Sequence, residues 1–532
     1  MKGNKKLQAW YPLLFSLVLI AGMFLGFKLG DRAGNGKGMF AGNKRSSLQE
    51  AMDLIRMRYV DSVNVDSLEG HAIQDMMNEL DPHSVYLPPV DLKEANEELA
   101  GNFDGIGVEF NIFSDTVNVV YVFPGGPSEK AGLQIGDKIL KVNDSSLTHK
   151  DFTVANIKTL IRGPKGSTAR LQVLRGAKTI PVDVTRGKIP VCSVDAAYMI
   201  DQTTGYIKLS KFSETSYEEF MQNMEMLQKQ GLKSLVFDLR GNGGGFMNEA
   251  VDIADEFLDG DKLIVYTEGV NSKKREYRCK RPGLFESGKL VLLVNETSAS
   301  ASEVLAGALQ DWCRATIVGR RTFGKGLVQE QYQLRDGSAI RLTIARYYTP
   351  LGRSIQRSYE KGKKVYMDDL WERFNNGELV SEDSMKNHNS KNFTTNCNDT
   401  LYGGGGISPS VFIPVDTSRA QHQANRMAVT VNVSNYVYNY YLQHKSEVEK
   451  YKTATDFANG FIQNDQLWNG LIQYTVSDSI KPGNLAGKEK ELVLQQLKAL
   501  LARYRWRNSG FYQVLNSGDA MVLKALEEVK KG

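Results

Sequence analysis

The residues equipped for chemistry cluster in two short runs. The first is Ser298-Ala-Ser300-Ala-Ser302-Glu303, which follows an apolar stretch over 290–294. The second sets Lys325 between Gly324 and Gly326, with Gln329 four residues further on. A continuous apolar stretch predicts a strand covered on both faces. Apolar residues at helical spacing over 304–312 predict a helix next, so Ser300 falls on a strand-to-helix turn. Three readings compete. Ser300-x-x-Glu303 fits a capping box, in which the serine accepts from the third helical amide and the glutamate reaches back. Gly319-x-x-x-x-Gly324-Lys325 nearly spells a phosphate loop, but residue 326 must then be Ser or Thr to hold magnesium, and it is glycine. The residues after it read as a strand (Val328, Tyr332, Leu334), where a phosphate loop would open a helix. The third is a serine nucleophile with a lysine as its base. The helix start supplies unpaired backbone amides, the raw material of an oxyanion hole.

A lysine base is compatible with the histidine count. There are six (His71, His83, His149, His388, His422, His444), and none lies between 188 and 356. A free lysine, with a pKa of about 10.4, is charged at neutral pH and cannot accept a proton. Burial in a water-poor site disfavours the charge and lowers the pKa by several units. The glycines beside Lys325 let it lie in a tight groove, and Gln329 can orient the amine without adding charge. A second loop, Arg240-Gly-Asn-Gly243-Gly244-Gly245, follows an apolar strand over 234–239. It falls at the carboxyl end of that strand, where the sites of α/β folds form. Its glycines have the wrong spacing for a dinucleotide fingerprint.

Ser298-Ala-Ser300-Ala-Ser302-Glu303, with Phe323-Gly-Lys325-Gly-x-x-Gln329, resembles the signature of the C-terminal processing (tail-specific) peptidases. These are serine proteases with a Ser–Lys dyad. The resemblance implies Ser300 as nucleophile, Lys325 as base, Gln329 as its helper, and Gly245 and Ala301 as donors of the oxyanion-hole amides. It implies no cofactor and no metal. Residues 99–187 resemble a PDZ domain. Gly105-Ile106-Gly107-Val108 matches the carboxylate-binding loop, and Gly136-Asp137-x-Ile139-x-x-Val142-Asn143 matches a second phrase of such domains. A glycine-flanked loop presents backbone amides to a C-terminal carboxylate, and the peptide adds a strand beside it. Protein or peptide substrates with a free C-terminus are therefore expected, with gating of the active site as a further PDZ role. The alternative is a PDZ adaptor whose protease-like core is inactive; intact Ser300, Lys325 and Gln329 argue against it. Leu80-Asp-Pro-His83-Ser-Val-Tyr-Leu87 resembles the family's N-terminal region, and His83 reads as a turn residue. Pro409-Ser410 stands where the family usually has Pro-Asp.

These residues need a scaffold. At 532 residues the chain is too long for one core, so two to four domains are expected. Its net charge of +5 is weak for this length and its Lys and Arg residues are dispersed among acids, so nothing suggests a nucleic-acid partner. The expected fold is an α/β protease core, with a mixed, largely parallel sheet, an inserted β-rich PDZ domain, and N- and C-terminal helical regions. With a cleaved signal peptide as the alternative, the basic segment 1–10 is expected to precede an uncleaved signal anchor at 11–29. Its uncharged run of 17 residues, 11–27, would span about 26 Å as a helix. The lysines before it predict a cytoplasmic N-terminus, so the catalytic part would lie outside the cell membrane, in the periplasm. A flexible linker (30–45), a helical region (46–98), the PDZ domain (99–187) and the core (188–356) follow. A polar surface insertion (357–402), the end of the core (403–416) and a helical region of unreadable role (417–532) complete the chain. Cys192, Cys279, Cys313 and Cys397 show no C-x-x-C, and Cys313 is expected to be a small buried apolar residue. An oxidising compartment would let them pair, in a pattern the sequence does not give. It leaves homo-oligomerisation open as well.

Overall fold

The computed structural model describes residues 10, 15–24, 46–113, 115–147, 153–385, 391–418, 421, 426–427, 430–462, 464–475 and 482–531. The chain forms two units, residues 1–75 and 76–532. The first holds a helix over 15–24, helix Ser47–Arg58 and most of Val65–Asn78. Neither of the two longer helices buries a residue. Much of the expected anchor and its linker (11–14 and 25–45) lies outside the described residues. Among those described, no helix is long and apolar enough to cross a membrane.

In the second unit the core is built on a six-stranded sheet. Its order is Val194–Met199, Thr204–Leu209, Ser234–Asp238, Lys289–Val294, Thr316–Gly319, Val411–Phe412. The first pair is antiparallel and the rest are parallel. Strand Lys289–Val294 shows why both faces must be covered. Leu290, Leu292 and Val294 pack with Phe220, Met224, Phe237 and Leu305 under the helices of one face. Val291 and Leu293 pack with Met521, Val522 and Ala525 of the last helix, Ala520–Lys530. Alternation along the strand thus demands two helical layers, and the C-terminal region supplies the second.

A second, antiparallel sheet flanks this core: Val85–Leu87, Ala339–Tyr348, Leu263–Gly269 and Ser272–Arg278, with Leu327–Gln333 also on Ala339–Tyr348. A two-residue turn at Asp336-Gly337 is expected from sequence; the structure instead closes the hairpin with three residues. Leu334 N–H still donates to the Ser338 carbonyl at 2.8 Å, and Gly337 takes φ +87°. A left-handed third residue is what a three-residue hairpin loop requires.

The PDZ sheet runs Val108–Phe113, Thr116–Val122, Lys138–Val142, Thr168–Arg175, Lys178–Thr185, all antiparallel, with Ser145–Ser146 on Lys138–Val142. It has its own apolar core, including Val119, Ile139, Ile157 and Val173. Strands Asn102–Gly105 and Gly187–Pro190 pair as a stalk that brings the chain out and back. The C-terminal helices also bury a core of their own, around Val437, Phe457, Leu471 and Leu497. They touch both neighbours. Tyr438 packs on Phe113 and Val120, and Arg503 and Arg507 pair with Glu109 of the PDZ sheet at 3.2 and 3.0 Å. Arg240 of the core pairs with Asp519 at 2.8 Å.

The stretch 357–402 is less peripheral than its polar composition suggests. Helix Lys363–Asn375 turns Tyr366 and Arg373 inward. Arg373 Nη1 donates to the Thr322 carbonyl at 2.9 Å, and Arg321 pairs with Glu378 at 2.7 Å. Cys397 forms a disulfide with Cys313, so Cys313 is an exposed bridge half and not the buried apolar residue expected. Cys192 and Cys279 are free.

Candidate active site

Ser300 sits between strand Lys289–Val294 and helix Ala301–Asp311, at φ +56°, ψ −114°. A non-glycine residue held there is strained, and such strain persists only where neighbours over-determine it. They do so here. The buried Glu303 carboxylate reaches back to the Ser300 N–H at 2.8 Å, the returning half of a capping box. The same carboxylate accepts from Lys325 N–H (2.9 Å), Gly324 N–H (2.7 Å) and Thr322 Oγ1 (2.5 Å). Burial pushes the Glu303 carboxyl up, while these four donors favour its ionised form. One side chain thereby fixes the backbone of both Ser300 and Lys325. The buried Tyr347 hydroxyl adds a second link, donating to the Ser300 carbonyl at 3.0 Å and to the Lys325 carbonyl.

The Gly-rich loop is held against this turn. Gly244 N–H donates to Asn242 Oδ1 at 2.9 Å, and Ala299 N–H to the Asn242 carbonyl at 3.0 Å. A Cβ on Gly244 would lie 2.7 Å from Ser300 Cβ, so only glycine permits the approach. Gly245 takes φ +143°, and a Cβ there would lie 2.0 Å from the Phe212 carbonyl oxygen. Among the described residues, neither the Gly245 nor the Ala301 amide donates to an acceptor. The loop begins at Arg240, whose guanidinium grips Asp238 at 2.7 Å. Burial works against that carboxylate, but Arg240 and Lys208 hold it well below the usual range.

Ser300, Ala301, Gly245, Lys325 and Gln329 all line one cleft of about 920 Å³. Phe212, Met247, Val304 and Leu327 give it apolar walls. Lys325 Nζ donates to Gln329 Oε1 at 2.8 Å. Among the described residues no hydrogen bond joins it to Ser300; catalytic bonds often tighten only once substrate is bound. Burial first, then the Arg341 guanidinium, push the Lys325 amine down to about 8, against the opposing pull of Asp81 and Glu303. An amine in that range is a workable base near neutral pH.

The remaining expected site residues lie in the PDZ domain. Gly105, Ile106, Gly107 and Val108 join the stalk to edge strand Val108–Phe113, and all four are buried. The loop's carbonyls are tied down: Ile106 accepts from Ser128 N–H (2.9 Å) and Oγ (2.6 Å), and Gly107 accepts from Phe123 N–H (3.2 Å). Strand Val108–Phe113 is the outermost of the PDZ sheet, pairing with Thr116–Val122 on one side.

Residues 203–362 match the family model of peptidase family S41, and residues 119–175 match that of a PDZ domain. The chain is 32% identical over 358 residues to the carboxy-terminal processing protease CtpA of Bacillus subtilis, a match covering 66% of this chain and 76% of that one. The chain belongs to the carboxy-terminal processing proteases. It is also 34% identical over 315 residues to the protease CtpB of the same organism, covering 58% of this chain and 65% of that one. A solved structure, the photosystem II D1 C-terminal processing protease, matches over 70% of this chain and 86% of its own, with 27% identity and a TM-score of 0.37. Residues 424–507 match a family of unknown function. As a carboxy-terminal processing protease this chain is a serine-type peptidase carrying a PDZ domain. Two groups of this protease's cleft region carry no motif in the sequence, Tyr347 and Arg341, while the turn at Asp81–Ser84 is legible there only as a turn, not as part of the cleft. Tyr347 and Arg341 lie in an ordinary strand pattern, so only pairing across the sheet reveals them.

Proposed function

We propose that this protease cleaves proteins near their C-terminal tails by a Ser300–Lys325 dyad. The observation that carries the reading is the lowered Lys325 amine in the same cleft as Ser300 and two unpaired amides. Neutral Lys325 takes the Ser300 hydroxyl proton as Oγ attacks the scissile carbonyl. The Gly245 and Ala301 amides hold the oxyanion, which they can do without reorganising. Protonated Lys325 then gives its proton to the leaving amine, and water releases the acyl-enzyme. Gln329 holds the amine without adding charge. The PDZ loop Gly105–Val108 and the open edge of strand Val108–Phe113 support recognition of a free C-terminus by strand addition. The uncharged run at 11–27 and the Cys313–Cys397 bridge support a membrane-anchored enzyme whose catalytic part faces an oxidising, extracytoplasmic compartment.

The test is a pH profile of kcat/KM on a peptide with a free C-terminus, for wild type, Ser300→Ala and Lys325→Arg. Wild-type activity is expected to rise with pH through about 8 as the amine becomes neutral. Both variants are expected to lose several orders of magnitude. Arginine keeps the charge and cannot act as base, so substantial turnover by Lys325→Arg would remove lysine from that role. Equal cleavage of the C-terminally amidated peptide would show that the PDZ loop does not read the carboxylate.

A further inference from the structure

The phrase Leu80-Asp-Pro-His83-Ser84 has no task in the mechanism above, yet the structure sets it against the base. Gln329 Nε2 donates to the His83 carbonyl at 2.5 Å. That bond turns Gln329 Oε1 toward Lys325, which donates to it at 2.8 Å. An amide side chain has a donor end and an acceptor end of nearly equal shape. A flipped Gln329 would present N–H groups to the ammonium and hold it poorly. The His83 carbonyl is itself fixed. Asp81 Oδ1 accepts from His83 N–H (2.8 Å) and Ser84 N–H (2.9 Å), and Asp81 Oδ2 accepts from Ser84 Oγ (2.5 Å). Thr343 N–H donates to Ser84 Oγ at 3.1 Å, which ties the turn to strand Ala339–Tyr348. Asp81 and Ser84 are 7% and 0% exposed, so water does not compete for these bonds. The His83 ring is engaged elsewhere, with Nε2 2.8 Å from the Tyr366 hydroxyl.

We propose that the Asp81–Ser84 turn is a positioning device for the catalytic base: Asp81 fixes the His83 carbonyl, that carbonyl fixes the Gln329 amide, and Gln329 holds the Lys325 amine beside Ser300. The inference rests on the Ser300–Lys325 reading. Asp81 and Ser84 are positioning residues that act through Gln329. The charged groups around the amine are Arg341 on strand Ala339–Tyr348, Asp81 on the turn and Glu303 on the helix after Ser300. Burial and the Lys325 charge push the His83 imidazole down to about 4, so it stays neutral and adds no repulsion at working pH.

The experiment is a double-mutant cycle on the full chain, read as kcat and KM against pH with a free-C-terminus peptide. Asp81→Ala and Gln329→Ala are each expected to lower kcat about ten- to a hundredfold, with KM little changed. The double variant is expected to fall no further than Gln329→Ala, because the turn acts through that amide. In both single variants the acidic limb moves to lower pH, since each loses a group that favours the protonated amine. Additive losses, or Asp81→Ala at wild-type kcat, overturn the proposal. If Asp81→Ala does not fold, Ser84→Ala enters the cycle in its place. Tyr366→Phe releases the His83 ring without touching the carbonyl and is expected at wild-type kcat; a loss as deep as that of Asp81→Ala would move the role to the imidazole and overturn the proposal. Ser300→Ala and Lys325→Arg in the same assay separate the two levels. If they are active, the dyad reading fails; if they are dead and the cycle is additive, only the role of the turn fails.

Discussion

Lys325 is charged in the unfolded chain and, in the proposed dyad, must lose that charge to take a proton from Ser300. The fold arranges this by half-burying the amine beside Arg341, which brings it down to about 8. The same arrangement weakens the protein. The folded-state pKa lies below the unfolded value, so between about 8 and 10.5 the unfolded chain binds more protons. Wild-type stability should therefore rise with pH across that window and carry the full penalty below it. Lys325→Met removes the penalty. It is expected to gain up to about 3 kcal/mol at pH 7, an advantage that shrinks to nothing above pH 10.5. Urea midpoints of both proteins at the two pH values measure it. A variant less stable than wild type at pH 7 would mean that packing around the lysine outweighs its desolvation. Other residue-scale features were open to sequence reasoning. Ser300, Glu303 and the glycines stand at fixed offsets, and each offset corresponds to one geometric demand.

At the scale of elements, the Gly-rich loop proposed to hold the oxyanion depends on the last helix of the chain. Asp519 caps helix Ala520–Lys530 by accepting from Met521 N–H (2.9 Å) and Val522 N–H (3.0 Å), and its other oxygen holds Arg240 at the start of the Gly-rich loop. Val522, 1% exposed, seals the sheet face that carries Val236 and Val291. Val522→Asp places an unpaired carboxylate in that layer and is expected to cost about 3–5 kcal/mol. It should lower the melting temperature and the proteolytic activity together. Thermal unfolding by circular dichroism, with activity measured on the same samples, checks this; wild-type behaviour in both would show that the helix merely covers the sheet. The sequence made the strand over 290–294 legible because an unbroken apolar run admits few other fates. It did not say which helix covers the second face, because any amphipathic helix satisfies the pattern.

Across the whole molecule, distant segments converge on one cleft. Helix Pro89–Leu99 gives the cleft Asn96 and Leu99, while the stretch 357–402 braces the loop before Lys325 through Arg373 and Glu378. The Cys313–Cys397 bridge ties that stretch to the far end of helix Ala301–Asp311, across a sequence separation of 84. Closing a loop of that size is expected to stabilise by about 2–4 kcal/mol. Cys313→Ser with Cys397→Ser should lower the urea midpoint accordingly under oxidising conditions and match wild type once dithiothreitol is added. Equal midpoints under oxidising conditions would mean that the bridge does not form in the purified protein.

The division between sequence and tertiary structure follows from what each encodes. Local demands leave local traces. Backbone strain at Ser300, close approach at Gly244 and a strand-to-helix turn require particular residue types at particular offsets, so the candidate nucleophile, base and oxyanion loop stand out in the bare chain. Contacts between segments leave none. The Gln329 bond to His83 spans 246 residues, that of Tyr347 to Ser300 spans 47, and the Cys313 partner lies 84 away. Neither Tyr347 nor Arg341 looks unusual in an alternating strand, and the Gly269-Val270-Asn271 turn between strands Leu263–Gly269 and Ser272–Arg278 does not say which strand that hairpin pairs with. Which carbonyl faces Gln329, and which helix closes the sheet, were decided only when apolar burial forced those segments into one core.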